Sequence, residues 1–201
     1  MDQRRSNRVK VMTTLEHIDS IGGPQRKGTF CRVAKAAIAA GAKNIVETGC
    51  YRGIDFDGQS TKVWALLAKE TGGHVISIDL SPDSIEKAKA LLGVEYDQYV
   101  TLVHADALDA LKDITAPIDV LYLDSYDHDD SNPGPCQEHQ LKEAEIAIPK
   151  MAEKSIILLD DAEFSDGGKV KLSGPFIEQA GFKCVEKSYQ NLYQRGYDHL
   201  F

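Results

Sequence analysis

The chain has 201 residues and a mass of 22.1 kDa, which suits one domain with a real hydrophobic core. The formal net charge is -8 and the pI is about 5.2, so the composition excludes a nucleic-acid backbone as an expected partner. No apolar run approaches the roughly 18 residues that span a bilayer, and the polar N-terminus does not resemble a secretory signal. The four cysteines are scattered without a C-x-x-C pair, which predicts a reduced cytoplasmic protein without a disulfide framework.

Apolar runs alternate with helical patterns from about residue 30 onward. Gly41 is a suitable left-handed C-cap for the first helix, and Ser81 with Pro82 is typical of a helix start. Helices are predicted over residues 30–41, 61–73, 81–93, 106–114, 136–151 and 173–181, and strands over 44–48, 74–80, 100–105, 118–124, 155–161, 182–189 and 191–201.

Strands separated by helices require right-handed crossovers between parallel strands. The pattern therefore predicts an α/β fold, with a doubly wound, Rossmann-like, mostly parallel seven-stranded sheet. The last two strands are adjacent in sequence, which predicts a C-terminal antiparallel hairpin. Residues 1–30 are expected to form a helical extension or lid, and residues 31–201 the main ligand-binding domain.

The segment NIVETGCYRGIDFDGQST, residues 44–61, places an acid and three glycines directly after the first strand. Ligands of open parallel sheets bind beyond the carboxyl ends of the strands, where the winding direction switches. Gly49 and Gly53 would let the backbone turn sharply and approach a ligand without a Cβ atom in the way. Two glycines also occur in many ordinary turns, so this spacing alone is weak evidence.

Acidic residues mark three successive strand ends, at Glu47, Asp79 and Asp106. An acid at the position of Asp79 can accept both hydroxyls of a ribose. Asp106 and the adjoining backbone at Ala107 can meet an adenine edge. Each acid could instead be a helix N-cap. Jointly they favour an adenosine-type ligand.

The loop reads E-x-G-x-x-x-G, whereas dinucleotide sites prefer G-x-G-x-x-G with room for a pyrophosphate. An anion beside Glu47 would be repelled, and no G-K-[ST] phosphate loop is present. S-adenosylmethionine carries a sulfonium and an α-amino group but no phosphate, so it fits this loop better.

The segments VETGCYRG, VISIDLSPDSIEKAKA and VTLVHADALDAL resemble the cofactor motifs of class I S-adenosylmethionine-dependent methyltransferases. The resemblance runs from about residue 30 to the C-terminus. It implies that Glu47 and Gly49 flank the methionine moiety, that Asp79 holds the ribose, and that Asp106 lies near the adenine. The remaining residues assigned to the cofactor are Tyr51, Gly53, Ser60 and Ala107.

The segment IDFDGQS, residues 54–60, is longer than the usual step from the last glycine into the helix. We expect it to add a loop over the cofactor, with Ser60 or Thr61 capping the helix that follows.

A second group of acids follows the fourth and fifth strands, at Asp124, Asp160 and Asp161. Three carboxylates at one point repel each other, and Mg²⁺ would remove that conflict, although capping or solvation is an alternative. The arrangement is similar to the metal-dependent O-methyltransferases of the catechol and macrolide-sugar types, which implies that these three residues bind Mg²⁺. The catechol type has a lysine three residues after the first aspartate, where this chain has Asp127, so that general base is not transferred.

Metal coordination lowers the pKa of a hydroxyl and makes it a better nucleophile. Asp124 is therefore assigned to the catalytic group, with His128 or His139 as the base. The sequence predicts a Mg²⁺-assisted methyltransferase that acts on a small-molecule hydroxyl.

Two alternatives stay open, an NAD-linked oxidoreductase and a non-catalytic module that binds an adenosine ligand. The sequence does not identify the acceptor or decide between oxygen and nitrogen. The N-terminal segment could pack against a second subunit, giving a homo-oligomer.

Overall fold

The computed structural model describes residues 12–54 and 58–197. Within these ranges the helices are α1 (Thr14–Ile21), α2 (Lys27–Ala40), α3 (Ser60–Thr71), α4 (Pro82–Leu92), α5 (Ala107–Asp113), α6 (Gly134–Ala147) and α7 (Val170–Gln179). The strands are β1 (Asn44–Thr48), β2 (His74–Asp79), β3 (Val100–His104), β4 (Ile118–Leu123), β5 (Met151–Leu159), β6 (Lys183–Glu186) and β7 (Asn191–Arg195).

The strands form one sheet in the order β3-β2-β1-β4-β5-β7-β6. Strands β1 to β5 pair in parallel, and β7 pairs antiparallel with both β5 and β6. The predicted mostly parallel sheet with an antiparallel C-terminal hairpin is confirmed. The chain winds outward in opposite directions from β1 and β4, so the loops after these two strands border a crevice.

The two faces of the sheet carry separate hydrophobic clusters, because successive strand residues point to opposite faces. In β4, Tyr122 packs with the cluster under α1, α2 and α3, while Leu121 and Leu123 pack with the cluster under α5, α6 and α7. The ring centroid of Phe30 lies 5.3 Å from that of Trp64 and 5.7 Å from that of Tyr122. Helices therefore cover both faces, as the alternating pattern predicts.

The predicted helix caps at Gly41 and Ser81 are confirmed, and Asp106 is also a helix N-cap, which is the alternative to its predicted ligand contact. Gly41 ends α2 in the left-handed conformation, with φ 67°. The Ser81 hydroxyl accepts a hydrogen bond of 3.2 Å from the backbone N–H of Ser84. Helix α2 begins at Lys27 and runs across residue 30, where the sequence predicts the domain boundary.

Several predicted boundaries are wrong at the C-terminal end of the sheet. Strand β5 begins at Met151 and ends at Leu159, so Asp160 and Asp161 follow the strand. Helix α7 begins three residues earlier than predicted, at Val170. Strand β6 ends at Glu186, and four residues connect it to β7 instead of a tight turn. Residues 198–201 of the last predicted strand lie outside the described residues.

Pro149 lies in a short 3₁₀ turn, Ile148–Lys150, that follows α6. The predicted long helix therefore ends at Ala147 rather than bending. Over the described ranges, no helix has both the length and the apolar character needed to cross a bilayer.

Candidate active site

A cavity of about 280 Å³ lies at the carboxyl ends of β1, β2, β3 and β4. The predicted site residues that line it are Gly49, Asp79, Asp106, Ala107, Asp124 and His139. Other residues in the lining were not singled out as ligand contacts from the sequence, among them Arg52, Leu80, Ser81, Ser84 and Asp127.

Asp79 joins the loops that follow β1 and β2. Its carboxylate accepts hydrogen bonds from the backbone N–H groups of Cys50, at 2.9 Å, and Ser81, at 2.7 Å. These bonds fix the carboxylate at the wall of the cavity, where a ribose hydroxyl could also donate to it.

Asp106 both caps a helix and lines the cavity. Its Oδ1 atom accepts a hydrogen bond of 2.8 Å from the backbone N–H of Leu108, in the first turn of α5. The capping alternative is therefore met, and the position of Asp106 near an adenine stays a prediction.

Gly49 is needed for packing between two loops. Its φ is 81°, and a Cβ atom there would lie 2.4 Å from the carbonyl oxygen of Asp124. The glycine thus lets the loop after β1 lie against the loop after β4. Gly53 has φ 93°, and a Cβ atom there would meet the Lys87 side chain at 3.1 Å. Gly53 is not among the described residues that line the cavity.

Glu47 lies beneath the loop and is fully buried, so it is also not among the described lining residues. Tyr51 and Ser60 line a smaller cavity, which shares Cys50, Arg52 and Asp124 with the large one.

The predicted cap of α3 is wrong, because the N-cap is Gln59 and the helix already begins at Ser60. Thr61 Oγ1 instead accepts a hydrogen bond of 2.9 Å from the backbone N–H of Tyr51. Residues 55–57, in the loop expected to cover the cofactor, lie outside the described residues.

Asp124, Asp160 and Asp161 do converge, as the strand order predicts. One oxygen from each lies within 4.8 Å of the others. Asp124 is partly exposed and belongs to both cavities, whereas Asp160 is fully buried. Of the three carboxylates, only Asp124 lines either cavity.

Two buried cations, neither of them predicted from the sequence, form ion pairs with this cluster. The Lys169 Nζ atom lies 3.0 Å from Asp124 Oδ1 and 2.8 Å from Asp161 Oδ2. The Arg26 Nη2 atom lies 2.7 Å from Asp160 Oδ2. Burial acts to lower the pKa of both cations, but the carboxylates outweigh it and raise the pKa of each. Both side chains therefore stay charged.

Tyrosine hydroxyls bind the same carboxylates. The Tyr122 hydroxyl lies 3.1 Å from Asp124 Oδ2 and 3.1 Å from Asp160 Oδ2. The Tyr189 hydroxyl donates a hydrogen bond of 2.5 Å to Asp161 Oδ1. The carboxylates are thus held by side chains of this chain on several sides.

This arrangement does not fit the predicted Mg²⁺ site. Mg²⁺ requires near-octahedral oxygen ligands, and here the Lys169 ammonium lies between two of the three expected ligands.

Burial and the Asp124 carboxylate raise the pKa of Asp160 despite Arg26. Burial also acts to raise the pKa of Asp161, but Lys169 leaves it below its ordinary value.

Among the non-glycine residues in the described part of the chain, positive φ angles occur at Tyr126, with 62°, and Asp161, with 53°. Tyr126 lies in the loop after β4, two residues after Asp124, and Asp161 is a member of the carboxylate cluster after β5. Such a conformation costs free energy and persists where the surrounding contacts impose it. Here the contacts of Asp161 with Lys169 and Tyr189 supply that constraint.

The two candidate histidines have different positions. His128 stacks on Phe164, with ring centroids 3.9 Å apart, and its Nε2 atom lies 3.2 Å from Asp166 Oδ1. It joins the loops after β4 and β5 and is not among the described residues of the cavity lining. His139 lines the cavity from α6, 3.7 Å from Glu143 Oε1, and its interaction with Glu143 raises its pKa.

The cavity wall is mostly acidic. Four carboxylates line it, those of Asp79, Asp106, Asp124 and Asp127, together with the side chains of Arg52 and His139. Arg52 forms an ion pair with Asp127. This charge pattern suits a ligand with positive charge and opposes a pyrophosphate.

A family model described as "Methyltransferase domain" matches residues 46–162, more than half of the chain. No curated protein sequence matches the chain. The fold is similar to that of a candidate O-methyltransferase from Klebsiella pneumoniae, with 16% identity, TM-score 0.61, and coverage of 92% of this chain and 88% of that one.

A methyltransferase from Geobacter sulfurreducens has a similar fold, with 18% identity, TM-score 0.60, and coverage of 90% of this chain and 85% of that one. The N-methyltransferase NodS from Bradyrhizobium japonicum, in complex with S-adenosyl-L-homocysteine, gives 13% identity, TM-score 0.55, and coverage of 92% and 100%. At these identities the similarity concerns the fold.

Proposed function

Because this chain belongs to the methyltransferase-domain family, we propose that it transfers a methyl group from S-adenosylmethionine to the hydroxyl group of a small molecule. The observation that carries the proposal is the cavity at the carboxyl ends of β1 to β4. Its four carboxylates suit a cofactor with a sulfonium and an amino group, and the family match covers these strand ends.

The cofactor supplies an electrophilic methyl group on its sulfonium. Asp79 accepts hydrogen bonds from the ribose hydroxyls, and Asp106 with Ala107 borders the adenine. Arg52 is the cation at this wall that would bind the cofactor carboxylate. The remaining carboxylates favour the positive end of the cofactor electrostatically.

The acceptor is proposed to lie beside Asp124, because this residue lines both the large cavity and the smaller neighbouring one. Its carboxylate could accept a hydrogen bond from the acceptor hydroxyl and orient the oxygen toward the methyl group. His139 is the candidate base that lines the cavity, and its raised pKa keeps a larger fraction protonated near neutral pH. Deprotonated His139 would take the acceptor proton.

Magnesium is not part of this proposal, because Lys169 and Arg26 already form ion pairs with the three expected ligands. The Mg²⁺ ion stays a prediction from the sequence. The NAD-linked alternative is disfavoured, because a pyrophosphate would face four carboxylates in the cavity.

Calorimetric titration with S-adenosylhomocysteine tests the cofactor assignment. We expect saturable micromolar binding to the wild type and none for NADH. Asp79→Asn should weaken binding at least about tenfold, since it removes a charged acceptor for two hydroxyls. Asp83→Asn is the matched control, because Asp83 is exposed on α4 and pairs with Lys87 at 2.7 Å. Absence of binding to the wild type would contradict the proposal.

Transfer of a labelled methyl group to a panel of phenols, sugars and matching amines tests the acceptor class. Labelled hydroxyl products support the proposal. If only amines become labelled, the result contradicts the proposed hydroxyl acceptor but supports methyltransferase activity. Cofactor binding with no transfer to any acceptor would favour the non-catalytic module.

A further inference from the structure

We infer that Lys169 takes the place of a divalent cation among Asp124, Asp160 and Asp161, so that this cluster binds no metal ion. Together with the proposed function, this inference implies that methyl transfer by this chain needs no divalent cation. That consequence rests on the proposed function. Lys169 then acts as a positioning residue, because its ammonium holds the one carboxylate of the cluster that lines the cavities.

Donor groups of this chain already contact nearly all the carboxylate oxygens of the cluster. Lys169 and the tyrosine hydroxyls engage both oxygens of Asp124 and both oxygens of Asp161. Arg26 binds Asp160 Oδ2 through Nε at 2.8 Å and through Nη2 at 2.7 Å. The remaining oxygen, Asp160 Oδ1, is buried without a hydrogen-bond partner. An ion at the cluster would therefore have to displace the Lys169 ammonium from Asp124 and Asp161, because Asp160 Oδ1 alone would supply a single protein ligand.

Two cations of this chain already offset most of the negative charge of the cluster. Arg26 and Lys169 offset two of the three carboxylate charges. A divalent ion would add two positive charges beside a buried ammonium and guanidinium, and both of these are costly to leave unpaired. The exposed fraction is 1% for the Lys169 side chain and 7% for the Arg26 side chain, so neither can turn into solvent as the chain stands.

The backbone fixes the position of Lys169 as well. Its N–H donates a hydrogen bond of 3.0 Å to the carbonyl oxygen of Asp161. The preceding residue, Gly168, has φ 60°, and a Cβ atom there would lie 2.2 Å from the same oxygen. Lys169 is followed at once by α7. The two ends of the loop from Asp161 to Lys169 are therefore joined, which fixes the backbone from which the ammonium reaches the cluster.

Binding of Mn²⁺, followed by electron paramagnetic resonance of the free ion, tests this inference. We expect the wild type and Asp160→Asn to lower the signal of free Mn²⁺ equally, because in both proteins only exposed acids bind the ion. Lys169→Ser should gain one Mn²⁺ site per chain, and the double variant Lys169→Ser, Asp160→Asn should lose it. Lys169→Arg keeps the charge and should behave as the wild type.

A site in the wild type that Asp160→Asn removes would overturn the inference. A folded Lys169→Ser variant that gains no site would overturn the claim that the ammonium occupies the position of the ion. If circular dichroism shows that Lys169→Ser does not fold, the comparison of the wild type with Asp160→Asn still tests whether the cluster binds Mn²⁺. The titration with S-adenosylhomocysteine is independent: loss of that binding would refute the proposed cofactor and leave the metal result standing.

Discussion

Glu47 of β1 and Ser77 of β2 lie directly opposite each other in the parallel pair, and the Ser77 hydroxyl donates a hydrogen bond of 2.5 Å to Glu47 Oε2. Both residues are fully buried. Burial raises the pKa of Glu47 from 4.5 to about 7 and outweighs the opposing effect of this hydrogen bond. An acid thus lies inside the sheet, directly below the loop that borders the cavity.

The raised pKa of Glu47 predicts that its contribution to stability falls as the pH rises from 4.5 to about 7. In that window the folded chain keeps a proton that the unfolded chain releases, so ionisation costs folding free energy. Glu47→Gln should therefore be more stable than the wild type at pH 8, by at most about 3 kcal/mol, and nearly equal at pH 4.5.

Urea denaturation at several pH values measures this difference. The exposed Glu86 on α4 offers the control Glu86→Gln, for which we expect no such dependence. A difference between Glu47→Gln and the wild type that stays constant with pH would show that the buried carboxyl is not the cause.

The convergence of three acids could be predicted from the sequence, and their counter-ions could not. Asp124, Asp160 and Asp161 follow neighbouring parallel strands, and the carboxyl ends of such strands meet at one edge. Arg26 lies 134 residues before its partner Asp160, and Lys169 lies 45 residues after Asp124, in segments without a periodic pattern. Long-range pairing of single side chains leaves no local signal.

The turn at Gly49 could be predicted from the sequence, but the group that packs against this glycine could not. The sequence predicts a sharp turn with a close approach to a ligand after β1, and the turn is present, with φ 81° at Gly49. The group that approaches the glycine is the main chain of Asp124, which comes from another part of the chain. Strand β5 likewise ends before Asp160, and Asp161, which contacts Lys169 and Tyr189, adopts the left-handed conformation.

Gly49→Ala is predicted to destabilise the chain by more than about 2 kcal/mol, from the positive φ together with the contact of 2.4 Å to Asp124. Gly28→Ala is the matched control, since a Cβ atom at Gly28 in α2 meets nothing within 4 Å. The control should be more stable than the wild type by about 0.5–1 kcal/mol. Denaturant unfolding measures the free energy of unfolding of both variants. An equal change in the two variants would refute the packing role of Gly49.

Lys169→Met is predicted to lower the free energy of unfolding by about 3–5 kcal/mol, because Asp124 and Asp161 lose a buried counter-ion. For a chain of this size each kcal/mol corresponds to roughly 2–4 °C in Tm, so calorimetry will detect the change. Lys171→Met, at an exposed lysine two residues away in α7, should leave Tm nearly unchanged. A small effect at Lys169 would mean that the cluster is neutralised in another way.

Glu143→Gln is predicted to lower the pKa of His139, because the Glu143 carboxylate raises it in the wild type. The charged His139–Glu143 pair contributes stability below the ordinary histidine pKa of 6.5 and loses it as the pH rises through the folded-state pKa. Titration of the imidazole resonances by nuclear magnetic resonance measures the change. The other imidazole titrations should not move, and an unchanged curve for His139 would exclude Glu143 as the cause.

The ion pair between Arg26 and Asp160 joins residues that are 134 positions apart. During synthesis Arg26 leaves the ribosome long before β5 exists, so its guanidinium has no access to this partner until most of the chain has been made. Closing so long a loop costs entropy before the contact can form. We therefore expect the carboxylate cluster to be completed late in folding, and a growing chain to contain the carboxyl ends of β1 to β3 before Asp160 and its counter-ion Arg26 can meet.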